Sequence, residues 1–209
     1  VYLINMAIGK APVGNSAEML KKIHETWAAK NTCTLKQVAT QAVFGNGNPN
    51  ATIVFIGEAP GKNEDLAGVP FAGAAGKFLD EMLLSAKMDR SDVYITNIVK
   101  YRPPNNRDPE PAEIKACAPW LHEELAAISP KLIVFLGRHS MNHFFPEEKI
   151  SEAHGKLLIK EITGFPTKYF FALYHPAAAL YNGGMRETLI ADFKKVPKVV
   201  EKITIGELK

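Results

Sequence analysis

The chain has two cysteines in 209 residues, Cys33 and Cys117, too few for a disulfide-framed secreted fold. No apolar run approaches the length that crosses a bilayer, so no membrane partner is expected. The chain opens on Val1, consistent with a missing or processed start, and lacks a charged-then-apolar leader pattern. The expected setting is therefore cytoplasmic or nuclear. Neither sign of charge dominates: 25 basic against 22 acidic residues leave a formal +3. That balance tolerates nucleic acid without requiring it. Internal repeats and low-complexity segments are absent. So is a phosphate loop, although Lys62 and Lys77 each follow a glycine. A Walker-type loop needs glycine five residues before that glycine and Ser or Thr after the lysine. Ile56 and Phe71 take the first position, and Asn63 and Phe78 the second, which argues against an NTPase.

What remains is an ordinary globular composition, 46% hydrophobic and 22% charged. It suits one domain over residues 1–209, with 1–14 as a loose arm; a monomer is expected. The chain is organised around Gly57-Glu-Ala-Pro-Gly-Lys-Asn-Glu-Asp65 and the following Gly68-Val-Pro-Phe-Ala-Gly73. An apolar run, Thr52–Ile56, leads in, and a helical pattern from about Ala75 leads out. Glycine lets a ligand approach the backbone closely, and Pro60 and Pro70 stiffen the path. This stretch reads as a Gly/Pro-rich loop forming the floor of a binding site.

Four apolar runs punctuate the chain: Thr52–Ile56, Val93–Val99, Leu132–Leu136 and Tyr169–Leu173. A further strand is expected at Leu157–Lys160. Helical periodicity falls between most of the runs. Met19, Leu20, Ile23 and Trp27 share a face after the candidate caps Asn15 and Ser16. Phe78, Leu79, Met82, Leu83 and Ala86 share another; Ile114, Cys117, Leu121, Leu125 and Ile128 share a third. Pro119 predicts a kink or restart in that third helix, and Pro197 a disturbance in the last one. Residues 30–50 read as loop. Strands alternating with amphipathic helices predict an α/β chain with a mainly parallel sheet covered on both faces.

Ligands of such sheets bind beyond the carboxyl ends of the strands. The unusual residues collect there: the acidic loop after the first run, Asn97 near the end of the second, Gly137-Arg-His-Ser140 after the third, Tyr174-His-Pro176 after the fourth. Singly, each has a plain alternative. Glu58, Glu64 and Asp65 read equally as solvated charges or caps, Phe71 as a core plug, His175 as a strand end. Asn97 is harder to dismiss, because a buried amide requires partners. Lys100-Tyr-Arg-Pro-Pro-Asn-Asn-Arg107 is a firm, positive loop suited to phosphates or simply to solvent.

Together, Gly57-Glu-Ala-Pro-Gly61 with Glu64-Asp65, Pro70-Phe71, Tyr94-Ile-Thr-Asn97, Arg102-Pro-Pro104 with Asn106-Arg107, and His175-Pro176 resemble the family 4 uracil-DNA glycosylases. The ordered set covers residues from about 30 to 195. The resemblance implies a three-layer α/β/α sandwich with a central four-stranded mainly parallel sheet. It implies excision of uracil from DNA to leave an abasic site, a reaction that needs the nucleotide flipped from the stack. By position, Phe71 stacks on uracil, Asn97 reads its polar edge, and Gly57, Glu58 and Ala59 shape the wall. His175 donates to the uracil oxygen that gains charge. Glu64 orders water and offsets the sugar cation, because Ala59 stands where better-known uracil glycosylases carry aspartate. Lys100, Arg102, Arg107, His154, Gly155 and Arg186 are the expected DNA contacts, and the segment Ala177–Arg186 would press into the duplex. No lysine sits where a Schiff base would need one, so base removal without strand cleavage is expected.

The resemblance also implies a [4Fe–4S] cluster on four cysteines. Cys33 and Cys117 match two of these positions, while Lys30 and Tyr101 take the other two. A cluster needs four thiolates, so none is expected; packing of Tyr101 or a Cys33–Cys117 disulfide are the candidate replacement ties. Two other functions stay open. A related branch captures uracil-DNA covalently through a histidine in an inserted basic loop, and residues 100–109 hold neither the histidine nor the insertion. A glycosylase for hypoxanthine or xanthine would use a similar polar pocket edge. A degenerate, inactive paralogue is disfavoured by the joint presence of Phe71, Asn97 and His175.

Overall fold

A computed structural model describes residues 15–208; the expected arm at 1–14 lies outside them. The strands are β1 (Asn46–Gly47), β2 (Ile53–Gly57), β3 (Tyr94–Asn97), β4 (Leu132–Leu136), β5 (Leu157–Ile159) and β6 (Tyr169–Leu173). They form one sheet in the order β1-β3-β2-β4-β6-β5. The inner four pair in parallel, and the two short edges pair antiparallel. The expected four-stranded sheet is thus the centre of a six-stranded one. β5 is the extra strand anticipated at Leu157–Lys160. β1 falls inside the segment read as loop. Its two residues pair with β3 only because Gly47, at φ 126°, brings the backbone where any Cβ would overlap the Val93 carbonyl.

The helices are α1 (Ser16–Lys30), α2 (Lys62–Ala67), α3 (Ala74–Ser85), α4 (Pro111–Ile128), α5 (Arg138–Phe144), α6 (Ile150–Ala153), α7 (Ala178–Tyr181), α8 (Met185–Phe193) and α9 (Val196–Thr204). Alternation along the strands builds the layers. Val54, Ile56, Ile133, Phe135, Phe170 and Ala172 face α1 and α4, where Leu20, Trp27, Leu121 and Leu125 bury. Their neighbours Ile53, Phe55, Val134 and Phe171 face the other way, onto Phe78, Leu79 and Met82 of α3, Leu189 and Phe193 of α8, and Val196 of α9. The α/β/α sandwich follows from this pattern.

Two proline expectations resolve differently. α4 runs unbroken through Pro119. Buried Cys117 before the proline and Leu121, Glu124 and Leu125 after it pin both halves, so packing holds the helix across the missing hydrogen bond. At the C-terminus the chain breaks between α8 and α9, and Pro197 sits in the first turn of α9, where its absent N–H costs nothing.

Strand order places a switch point between β2 and β4. The chain passes from β2 to β3 on one side, then returns to β4 on the other. Loops at the carboxyl ends of β2 and β4 therefore diverge and leave a crevice.

Candidate active site

Gly57 ends β2 and lies beside Asn97, the last residue of β3, in the register of the sheet. A Cβ on Gly57 would overlap both Asn97 Oδ1 and the Phe71 ring. The absent side chain is thus what lets an amide and an aromatic face meet at one point. Asn97 is 2% exposed. Among the described residues its side-chain amide makes no hydrogen bond, only its backbone carbonyl accepting from Lys100 Nζ at 3.0 Å. Among the described residues the polar side-chain atoms sealed without a partner are Trp27 Nε1 and Asn31 Oδ1, so the Asn97 amide keeps an opening through which a ligand can supply its partners.

The stretch after Gly57 is not all loop, contrary to expectation: α2 interrupts it. Glu64 sits in the first turn, where acids are favoured by the helix N-terminus. Its two oxygens accept from the Gly61 and Gly73 amides at 3.1 and 2.7 Å, pinching the ends of the segment together. Asp65 is buried and accepts from Thr40 N and Thr40 Oγ1, so it is a structural anchor for residues 40–41. Phe71 follows with φ 55°, a left-handed conformation that a bulky residue adopts only under constraint. The constraint is visible: Arg90 Nη2 donates to the Pro70 carbonyl at 2.7 Å, and Gly76 of α3 leaves room where a Cβ would overlap the Phe71 carbonyl.

His175 arrives from β6. Its ring lies 5.6 Å from that of Phe71, centroid to centroid, at 28°. Gly137, at φ 98° after β4, lets it come close: a Cβ there would stand 3.0 Å from His175 Cβ. His175 Nδ1 accepts the Ala177 N–H at 3.1 Å, which places the ring proton on Nε2. Burial lowers its pKa to about 4, the Glu64 charge opposing and His139 assisting. The imidazole is therefore neutral at physiological pH and carries one N–H donor.

A second group lies across the β2–β4 crevice. His139 Nε2 is 3.8 Å from Glu58 Oε2 and 3.2 Å from Asp108 Oδ2, and Arg138 Nη2 reaches the same Asp108 oxygen at 3.2 Å. Glu58, Asp108 and His139 offer ligand atoms within 4.8 Å of one another, but Arg138 already answers part of their charge. Burial, helped by Asp108 and opposed by Arg138, raises the Glu58 carboxyl to about 7. A raised carboxyl favours the protonated form in the fold. No cost is felt below the unfolded value, and the cost grows as pH rises from about 4.5 to 7. Glu58→Gln should accordingly stabilise the protein at pH 8 by about 2–3 kcal/mol and leave it unchanged near pH 4. Denaturant unfolding at the two pH values measures this; an equal effect at both would refute the strained carboxylate. Sequence reading placed Gly137–Ser140 at a strand end but missed this grouping, since Asp108 comes from the loop after β3.

The expected DNA contacts fare unevenly. Lys100 does not face a phosphate. It is 1% exposed, and its Nζ lies 2.5 Å from Glu124 Oε2 and Thr96 Oγ1, beneath Asn97. Its place at the end of an apolar run is the signal that could have revealed this. Arg107 grips Glu113 through both terminal nitrogens at 2.9 and 2.6 Å, so it braces α4. The Gly155 N–H is spent on the Ala172 carbonyl at 2.8 Å. His154 Nδ1 pairs with Asp192 Oδ2 at 2.6 Å. Arg186 pairs with Glu81 and lies over the Phe78 ring. Arg102 bonds Asn106 Oδ1 through Nε at 2.7 Å. Past His175, α7 carries Leu180 at 50% and Tyr181 at 91% exposure, large apolar side chains held in solvent beside the pocket.

The donor set at the implied cluster positions does not fit an iron–sulfur centre. Lys30 ends α1 on the exposed surface, and the buried Tyr101 hydroxyl accepts from Asn31 Nδ2 at 3.2 Å. Only Cys33 and Cys117 offer sulfur, where four thiolates are wanted. Trp27, Trp120 and Tyr101 pack there instead, with Trp27 centred 5.9 Å from Tyr101 and 5.2 Å from Trp120.

An aromatic face, an unpartnered amide and a neutral imidazole donor, meeting at a glycine on the carboxyl edge of a parallel sheet, define a pocket for a planar, hydrogen-bonding ring. The pattern of the Uracil DNA glycosylase superfamily matches residues 44–200. A type-4 uracil-DNA glycosylase of Sulfurisphaera tokodaii is 48% identical over 86% of this chain and 84% of its own. Type-4 enzymes of Saccharolobus solfataricus and Archaeoglobus fulgidus are 47% and 48% identical, over 80% and 81% of this chain and 80% and 87% of theirs. The chain belongs to the uracil-DNA glycosylase superfamily, on its type-4 branch.

Proposed function

We propose that the protein hydrolyses the N-glycosidic bond of uracil in DNA, leaving free uracil and an abasic site. The observation that carries the reading is the unpartnered Asn97 amide facing Phe71 across Gly57. A base flipped out of the duplex enters beside β2 and stacks on Phe71. The Asn97 amide offers one donor and one acceptor side, matching the alternating polar edge of uracil. As the bond from N1 to the sugar lengthens, its electron pair moves onto uracil, and the His175 Nε2–H donates to the oxygen that takes up the charge. The Glu64 carboxylate, fixed by Gly61 and Gly73, faces the sugar-derived cation and orders the water that adds to it. That water leaves its oxygen on the sugar and its proton ends on uracil. Neutrality of His175 suits the role, since it hands over a hydrogen bond rather than a proton.

Leu180 and Tyr181 enter the duplex where the base has left, as apolar wedges do elsewhere. Arg102 and His154 approach phosphates on either side. The protein works as a monomer on DNA in the cytoplasm, without an iron–sulfur cluster. A base panel tests selectivity. Oligonucleotides carrying uracil, hypoxanthine, xanthine or thymine are incubated with the protein and then treated with alkali. Cleavage at uracil is expected to exceed that at the purines by at least about 100-fold, the loss of a matched hydrogen-bond pair costing about 3 kcal/mol. Preferential cleavage at hypoxanthine or xanthine would overturn the assignment of the base.

A further inference from the structure

The peptide unit that joins Asn97 to Ile98 is held at both ends. Its N–H donates to the Gly57 carbonyl at 3.0 Å, and its carbonyl accepts from Lys100 Nζ, also at 3.0 Å. The Lys100 ammonium has three N–H bonds, and the fold meets all three: the Asn97 carbonyl, Thr96 Oγ1 at 2.5 Å and Glu124 Oε2 at 2.5 Å. Glu124 is tied down in turn, accepting from Thr96 Oγ1 at 3.0 Å, His24 Nε2 at 2.9 Å and Tyr94 Oη at 3.3 Å. His24 belongs to α1, Tyr94 and Thr96 to β3, and Glu124 to α4. Stability alone is a poor reason to bury a lysine and a glutamate together, since apolar side chains of similar volume often serve as well. What apolar side chains cannot supply is a fixed donor to one chosen carbonyl.

We propose that Lys100 is a positioning residue for base recognition: its ammonium locks the peptide after Asn97 and so aims the Asn97 side-chain amide at the polar edge of the base. The inference rests on the uracil reading and adds a residue that serves it without touching the substrate. Pinning the N–H and the carbonyl of one peptide fixes ψ of Asn97, and the direction of its Cα–Cβ bond follows. Little else steers the amide. Among the described residues no hydrogen bond holds it, and Gly57 leaves the space beside it open. An amide that takes its partners from each incoming base cannot be fixed by permanent partners of its own, so its backbone must carry the precision. Without the Lys100 donor, the peptide keeps only the Gly57 carbonyl as anchor and rocks about it.

The test is a double-mutant cycle on the full chain. Lys100→Met with Glu124→Leu removes both buried charges together, and thermal melting confirms that the fold is kept. Single-turnover uracil release by this variant should fall about 10- to 100-fold, the cost of a reading group displaced by about 1 Å. Its affinity for undamaged DNA should stay as in wild type. In an Asn97→Ala background the same two substitutions should change the rate by less than about 2-fold, because no amide is left to misplace. A readout without substrate accompanies the kinetics: the Asn97 side-chain NH2 signal, assigned by nuclear magnetic resonance, should shift and show faster internal motion when Lys100 is replaced. Lys100→Met alone, measured well below its melting temperature, repeats the cycle if the doubly substituted protein is unstable. Equal rate losses in both backgrounds, or an Asn97 side-chain signal that does not move, would overturn the proposal and leave Lys100 a purely structural residue. A wild type that releases no uracil would instead refute the uracil reading, and the Asn97 signal would still decide whether Lys100 places the amide.

Discussion

Replacing His175 with alanine should slow uracil release about 100- to 1000-fold in single-turnover kinetics, the cost of removing one aimed donor to a developing anion. The structure says why the loss falls on the chemical step. His175 Nδ1 is occupied by the Ala177 amide, so Nε2–H is the group presented to the pocket. Stacking on Phe71 and reading by Asn97 survive the change, so affinity for uracil-containing DNA should shift far less than the rate. The pH profile supplies a second check. With its pKa near 4, His175 stays neutral from pH 5 to 8, and no rate limb should appear near 6.5. A rate that falls as pH drops through 6.5 in wild type but not in His175→Ala would mean that the imidazole titrates, against this account.

The second large effect is on stability. Glu124 is 1% exposed and is the hub of a buried network. It accepts from Lys100 and Thr96 through one oxygen and from Tyr94 and His24 through the other. Burial alone would raise its carboxyl; Lys100 and His24 instead hold it at about 2. Lys100→Met leaves that charge buried without its main partner, and should cost about 3–5 kcal/mol. The melting temperature should fall by about 10–15 °C in a chain of this size. The pH dependence is diagnostic. In the variant the unpaired carboxyl takes up a proton readily, so the deficit against wild type should shrink as pH falls toward 5. In wild type the pair's contribution persists above 4.5 and is lost only as pH falls through about 2. Lys100→Met combined with Glu124→Leu should recover most of the loss. A double variant no better than the single would mean that Lys100 acts through packing alone. Because Lys100 Nζ also donates to the Asn97 carbonyl, the network sits directly under the reading amide.

The sheet and its two apolar faces were legible because strand and helix periods recur clearly in the sequence. β1 was not, since two residues carry no period and its pairing depends on Gly47. The pocket was legible as a set of strand ends, and Gly57, Phe71, Asn97 and His175 do converge. The charges were read less well. Lys100 and Glu124 look like surface residues one at a time; only the fold places a β3 loop against α4 and makes them partners. Arg107 and Arg186 likewise spend their charge on Glu113 and Glu81. Glu58, expected as a wall, stands in the β2–β4 crevice beside Asp108, a contact between distant loops that no local pattern announces.

Free uracil released from a large excess of uracil-containing oligonucleotide tests the central claim most directly. Multiple equivalents of uracil per protein, with a matching count of alkali-labile sites, are the predicted result. Release that stops at one equivalent with a heat-resistant protein–DNA adduct, or no uracil at all, would contradict it.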